Sequence, residues 1–257
     1  MIVKKYASSD LVTLKTPPEL GLQFTSLQRL EVSGNTLGEI RAEESEIALV
    51  VLEGSIRYHT TLFDRSHREG DLSLRDILFL PPHSRAILSG SGVAMRFQAP
   101  SELGASFAHI RFHEIDQDPL KHKTYGNNQL GTFRHVWHAV GDDFPCSRLM
   151  LGFCQGSPGG WTAWPPHEHG REREEIYVYF GMGKGFGIQL VYEELSQQGI
   201  SMVVQEGDAV SIPGGYHPNV GSPLHGIQYV YCMTAKEPGK REFLNLRIQK
   251  EYGEKFE

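Results

Sequence analysis

The chain has 257 residues, enough for one large or two smaller domains with a sizeable core. Its 25 Lys and Arg against 31 Asp and Glu leave a net charge of -6, which excludes the broad basic face that nucleic acid requires. With 28 Gly and 14 Pro, turns are favoured over long helices, and the longest clear apolar run, residues 47–52, is far too short to cross a membrane.

No signal-like apolar core follows Met1-Ile-Val-Lys-Lys5, so a cytoplasmic location is expected, with no membrane partner. Cys146, Cys154 and Cys232 are odd in number and form no CxxC pair, so they read as small buried hydrophobes rather than a disulfide framework.

In chain order, a short helix is conceivable over residues 7–14, and residues 22–32 read as a strand punctuated by Ser33-Gly-Asn-Thr36. Glu46 opens a buried strand, Gly54 offers a turn, and residues 55–58 give a second strand. Residues 76–80 form another, stopped by Pro81-Pro82-His83; His83 is expected as a turn residue. Residues 93–97 and 108–112 close the first unit, and the charged stretch 114–128 reads as a linker. These features divide the chain into 1–125 and 126–257. His109, His113, His122, His135 and His138 lack ligand spacing and are read as incidental.

The second unit begins with a strand over 147–154 and a glycine-rich turn, Gly156 to Gly160, which delivers Trp164-Pro-Pro-His167-Glu-His169. Histidines two apart on an extended segment project to one side, so both imidazoles can reach one ion. Glu175 opens the strand-forming run 176–179, with Glu174 read as its solvated neighbour. Gly181 to Gly185 then predicts a hairpin returning over 186–192. Downstream, Gly207-Asp208 leads to Pro213-Gly-Gly-Tyr-His217, a turn that aims a third imidazole inward. His167, His169, Glu175 and His217 make a set suited to a divalent cation, zinc first, with manganese or iron as alternatives.

Other polar groups have weaker signals. Gln189 and Arg148 are candidate substrate contacts, and Arg171, Arg173 and Lys184 share the basic neighbourhood. Tyr177 and Tyr229, on strands 176–179 and 227–233, are candidate catalytic groups, with Glu174 and a metal-bound hydroxide also open.

The halves echo each other. Glu46 before its strand resembles Glu175 before its own, and Asp76-x4-Pro81 matches Asp208-x4-Pro213, an internal repeat of one barrel unit. Ala42-Glu-Glu-Ser45 stands where the second copy has its histidine pair, so the metal motif is expected only in the second unit.

The order Gly160, His167-x-His169, Glu175, Gly181, then Gly207, Pro213, Gly215, His217 resembles the two motifs of the cupin superfamily. That resemblance implies an all-β bicupin of two antiparallel jelly-roll-like barrels. More narrowly, Trp164 to His169, Glu174-Glu-Ile-Tyr177, residues 185–192 and residues 207–218 are similar to the 5-deoxy-glucuronate isomerase family of bacterial myo-inositol catabolism. The uronate isomerases of pectin breakdown are similar more distantly. The family implies a metal-dependent aldose-ketose isomerase that converts 5-deoxy-D-glucuronate to 5-dehydro-2-deoxy-D-gluconate, with a small sugar acid as its partner and a homo-oligomer left open. The alternatives are a related uronate isomerase, an iron dioxygenase on the same four ligands, or a non-catalytic sugar-binding cupin.

Overall fold

A computed structural model describes residues 2–34, 38–170 and 172–255. Strand-forming residues dominate the sequence, and nearly all regular structure is antiparallel sheet. Among the described residues helix is confined to short pieces: 3-10 turns at Ser8–Leu11 and Lys250–Tyr252, Pro17–Leu20 with Pro at its start, and Phe112–Gln117, which runs into the expected linker.

The first barrel is a sheet with the path Ser26–Val32, Ser84–Pro100, Ser45–Thr61, Ile77–Leu80, Ala108–Ile110; Gly38–Ala42 joins Ser84–Pro100 and His67–Leu72 joins Ser45–Thr61. The turn expected at Gly54 is instead a bend inside one 17-residue strand, with a register shift between Val51 and Glu53. Gly54 has φ 71, and a Cβ there would collide with the Ser91 carbonyl, so the long strand curls where only glycine fits.

The second barrel faces a seven-stranded sheet with a four-stranded one. The larger runs Lys4–Tyr6, Ala209–Ile212, Arg173–Tyr179, Gln228–Ala235, Leu149–Gly156, Arg134–Val140, His122–Tyr125; the smaller runs Trp161–Thr162, Asn219–Gly221, Gly187–Val191, Ile200–Val204. The hairpin expected from strand 176–179, the Gly181–Gly185 turn and the return over 186–192 is therefore corrected: its two strands lie in different sheets. The glycine-rich connection wraps the Glu206 carboxylate, which accepts N–H bonds from Gly181, Met182 and Gly183 at 3.0, 2.6 and 3.1 Å. Two pairings also cross the expected division at 125/126, because Lys4–Tyr6 and His122–Tyr125 both lie in the second barrel's large sheet.

Strand alternation separates three cores. Ile47, Leu49 and Val51 point into the first barrel, whose interior is mainly aliphatic, with Tyr58. Tyr177 and Tyr179 point into the second. Ala48, Val50, Ile176, Val178 and Val230 point the other way and pack the two large sheets together. Burial on both faces explains why residues 47–51 read as an unbroken apolar run.

Two carboxylates bind the sheets across this contact. Glu46 accepts from the backbone N–H groups of Ser147, Arg148 and Leu149 at 2.7, 2.8 and 2.8 Å. Glu174 accepts from those of Gln23, Phe24 and Thr25 at 2.8, 2.9 and 2.8 Å. Glu174 is only 1% exposed, which corrects its reading as a solvated neighbour.

Candidate metal centre

His167 and His169 leave the Trp164–Pro166 turn beside strand Arg173–Tyr179, and His217 follows strand Ala209–Ile212 after the Pro213–Gly215 turn. The register sets Glu175 opposite Ile212, so the carboxylate and the third histidine come from neighbouring strands. All four residues are buried. The three imidazoles converge, with one nitrogen of each within 4.8 Å of the others. Glu175 Oε2 lies 3.1 Å from Nε2 of both His169 and His217.

Two hydrogen bonds fix the roles of the Nδ1 atoms. A carbonyl only accepts, so His217 Nδ1 must donate to Gly215 O at 2.8 Å, and His167 Nδ1 to Pro165 O at 3.0 Å. In a neutral ring with that tautomer the lone pair is on Nε2. His217 Nε2 makes no aligned hydrogen bond despite its closeness to Glu175, and His169 Nδ1 is buried without a hydrogen-bond partner.

Electrostatics point the same way. Burial, reinforced by the other imidazoles, pushes His167 well below the usual histidine range, and burial lowers His169. For Glu175, burial favours the neutral acid, but His169 and His217 outweigh it and hold the carboxyl below the ordinary carboxylate range. Three buried imidazoles converging beside a carboxylate are a donor set that a divalent cation satisfies.

The cluster opens into a cavity lined also by Tyr125, Arg134, His138, Tyr177, Tyr229 and Tyr231. Tyr177 packs edge-on to His217 at 5.8 Å and lies 4.3 Å from Tyr229, ring centre to ring centre. Burial raises both phenols well above their usual range, so at neutral pH they are protonated donors rather than bases.

Neither substrate-side candidate from the sequence lines this cavity. Gln189 is buried behind it: its oxygen accepts from Tyr179 Oη at 2.6 Å and Asn219 Nδ2 at 3.0 Å, and its nitrogen donates to His217 O at 2.8 Å. It supports the histidine's backbone. Arg148 lies at the contact between barrels, paired with Glu102 at 2.5 Å and donating to Ala235 O and Lys236 O. Arg173 donates through Nη1 to Arg241 O and Glu242 O and, like Lys184, is not in the lining, while Arg171 lies outside the described residues.

Among the lining residues that escaped the sequence reading, two bear on the chemistry. His138, taken as incidental, has Nδ1 2.8 Å from Tyr231 Oη, and burial pushes its imidazole down to about 4. Arg134 enters the same wall from two residues before Val136. The only available signal was alternation along strand Arg134–Val140, which puts residues 134, 136 and 138 on one face.

Fold and site together define a bicupin with one candidate metal centre among the described residues. The chain belongs to the KduI/IolB family, whose model matches residues 1–247. It is 26% identical over 238 residues to the 5-deoxy-glucuronate isomerase of Geobacillus thermodenitrificans, covering 85% of this chain and 83% of that protein. Its fold is similar to that of an IolB-like protein from Salmonella typhimurium, with TM-score 0.79, 19% identity and 93% of each chain covered. It also matches a point mutant of Bacillus subtilis oxalate decarboxylase, with TM-score 0.61, 12% identity, and 91% and 77% of the two chains covered.

Proposed function

We propose that this protein is an isomerase of a short sugar acid, acting on 5-deoxy-D-glucuronate to give 5-dehydro-2-deoxy-D-gluconate. The observation that carries this reading is the buried cluster of His167, His169 and His217 beside Glu175, opening into a phenol-lined cavity. The family and the name of the Geobacillus relative supply the substrate.

In this reading the four residues hold a divalent cation, zinc or else manganese or iron. When bound, that ion supplies a Lewis acid that polarises a carbonyl and its neighbouring hydroxyl. The protein's own part is positional. The carbonyls of Pro165 and Gly215 fix the tautomers of His167 and His217, and Gln189 holds the backbone that carries His217. Tyr177 and Tyr229 offer protonated hydroxyls to substrate oxygens, and the pair His138 and Tyr231 offers a neutral imidazole to which a proton can move. The division into a first unit, 1–125, without the motif and a second, 126–257, with it belongs to the same reading, Lys4–Tyr6 and His122–Tyr125 being strands lent to the second sheet. So does a cytoplasmic location; among the described residues no helix is long and apolar enough to cross a membrane.

The test is to incubate the purified, metal-analysed protein with 5-deoxy-D-glucuronate and follow the aldehyde signal by NMR. Loss of that signal with growth of a keto product is expected. Oxygen uptake, or tight binding without turnover, would replace the isomerase with a dioxygenase or a binding protein.

A further inference from the structure

Arg134 is the only Lys or Arg among the described residues that line the cavity, and it is 2% exposed. The rest of that wall is phenol, imidazole, thiol and apolar carbon, apart from the Glu175 carboxylate at the histidine cluster. A guanidinium is costly to bury, and the cost is tolerated where the charge has work to do or strong dipoles to face.

Its position is tied to the histidines. Arg134 Nη2 donates to Trp164 O, while His167 Nδ1 donates to the next carbonyl, Pro165 O. One turn therefore sets both the cation and the first imidazole around a single cavity. A second N–H donates to Thr132 O at 3.0 Å, and the Tyr125 ring centre lies 5.3 Å from the guanidinium carbon. The planar fork carries five N–H groups, a geometry that matches a carboxylate.

We propose that Arg134 recognises the carboxylate of the substrate, so that the site takes an aldehyde acid with its carbonyl end at the histidine cluster and rejects the neutral aldose. This rests on the isomerase reading above and deepens it. A lysine would supply charge without the paired donors, and a glutamine would supply donors without the charge.

The experiment uses the metal-loaded enzyme as wild type, Arg134→Gln and Arg134→Lys. The sugar acid is compared with its primary amide, in turnover and in calorimetric binding, with metal content measured on every sample. Wild type should prefer the acid to the amide. In Arg134→Gln the loss in kcat/KM on the acid should exceed the loss on the amide by about 30-fold or more, chiefly through KM, and Arg134→Lys should recover part of that difference. Metal content should hold in all three. Equal losses on acid and amide, or loss of metal, would make Arg134 a strut for the Trp164–Pro166 turn and overturn the proposal. Wild type that binds acid and amide alike would overturn it too. Wild type that binds the acid selectively yet never converts it would refute the isomerase reading and leave Arg134 in its assigned role.

Discussion

Glu46 and Glu174 occupy the same place in the two barrels, and each reaches across to hold the residues that lead into a strand of the other. The register proves the equivalence. Ile47 lies opposite Leu80 and Glu175 opposite Ile212, and these partners each stand four residues after an aspartate, Asp76 or Asp208, that accepts the same turn N–H bond at 2.9 Å. Glu46 therefore corresponds to Glu174, which corrects the match with Glu175 expected from the sequence. The counterpart of Glu175 is Ile47, an aliphatic side chain in a mainly aliphatic interior.

Removing either clamp should be expensive. Glu46→Gln and Glu174→Gln each replace a charged acceptor oxygen with an amide donor facing buried backbone N–H groups, at a cost of about 3 kcal/mol. Urea unfolding is the measurement. A loss below about 1 kcal/mol in both variants would contradict the clamp.

Metal should depend on the converging imidazoles. His169→Ala is expected to bring the metal content of the purified protein well below one ion per chain and to abolish turnover. Chelated wild type should lose activity and regain it with zinc, manganese or iron, the most effective ion naming the native one. Full metal content in His169→Ala would remove this residue from the ligand set.

Gly152 is a sharp probe of the cavity wall. A Cβ there would meet the Trp137 carbonyl and the Tyr231 hydroxyl, so Gly152→Ala must displace the phenol from His138 or push two strands apart. Activity should fall at least tenfold while the far-UV circular dichroism is kept. Unchanged kinetics would show that the His138–Tyr231 contact has no part in turnover.

The thiols should be inert. Cys146, Cys154 and Cys232 are free and buried, and burial pushes Cys146 up to about 12. At neutral pH a thiol reagent should label none of the three in the native protein and all of them in denaturant. Rapid native labelling of Cys154 would instead report an open route into the cavity, which it lines.

The histidine cluster was legible in the sequence because its members lie in two short motifs whose turns and strands can be read locally. The barrels were legible for the same reason, from apolar runs stopped by glycine and proline. What failed was anything decided by register or closure. Glu174 and Glu175 differ by one residue, and that single step sends one carboxylate to the neighbouring barrel and the other to the imidazoles. Alternation marks nothing within residues 47–51, because both faces are buried. Arg134 and His138 become cavity residues only when Arg134–Val140 closes against strands from later in the chain, an event without a local signature. Gln189 had the right strand but its amide is consumed by Tyr179, Asn219 and the backbone of residues 217 and 218.

Lys4–Tyr6 has a consequence for anyone wishing to shorten this protein. It pairs with Ala209–Ile212, Lys5 reaches Asp208 at 2.8 Å, and the same strand leads into the turn that presents His217. A fragment starting at residue 126 would keep every candidate ligand and still be a poor miniature. It would offer other molecules a raw hydrogen-bonding edge next to the third histidine, and a bare apolar face of Ile176, Val178 and Val230. Such a fragment is expected to aggregate, because it is residues of the first half that cover this edge and this face.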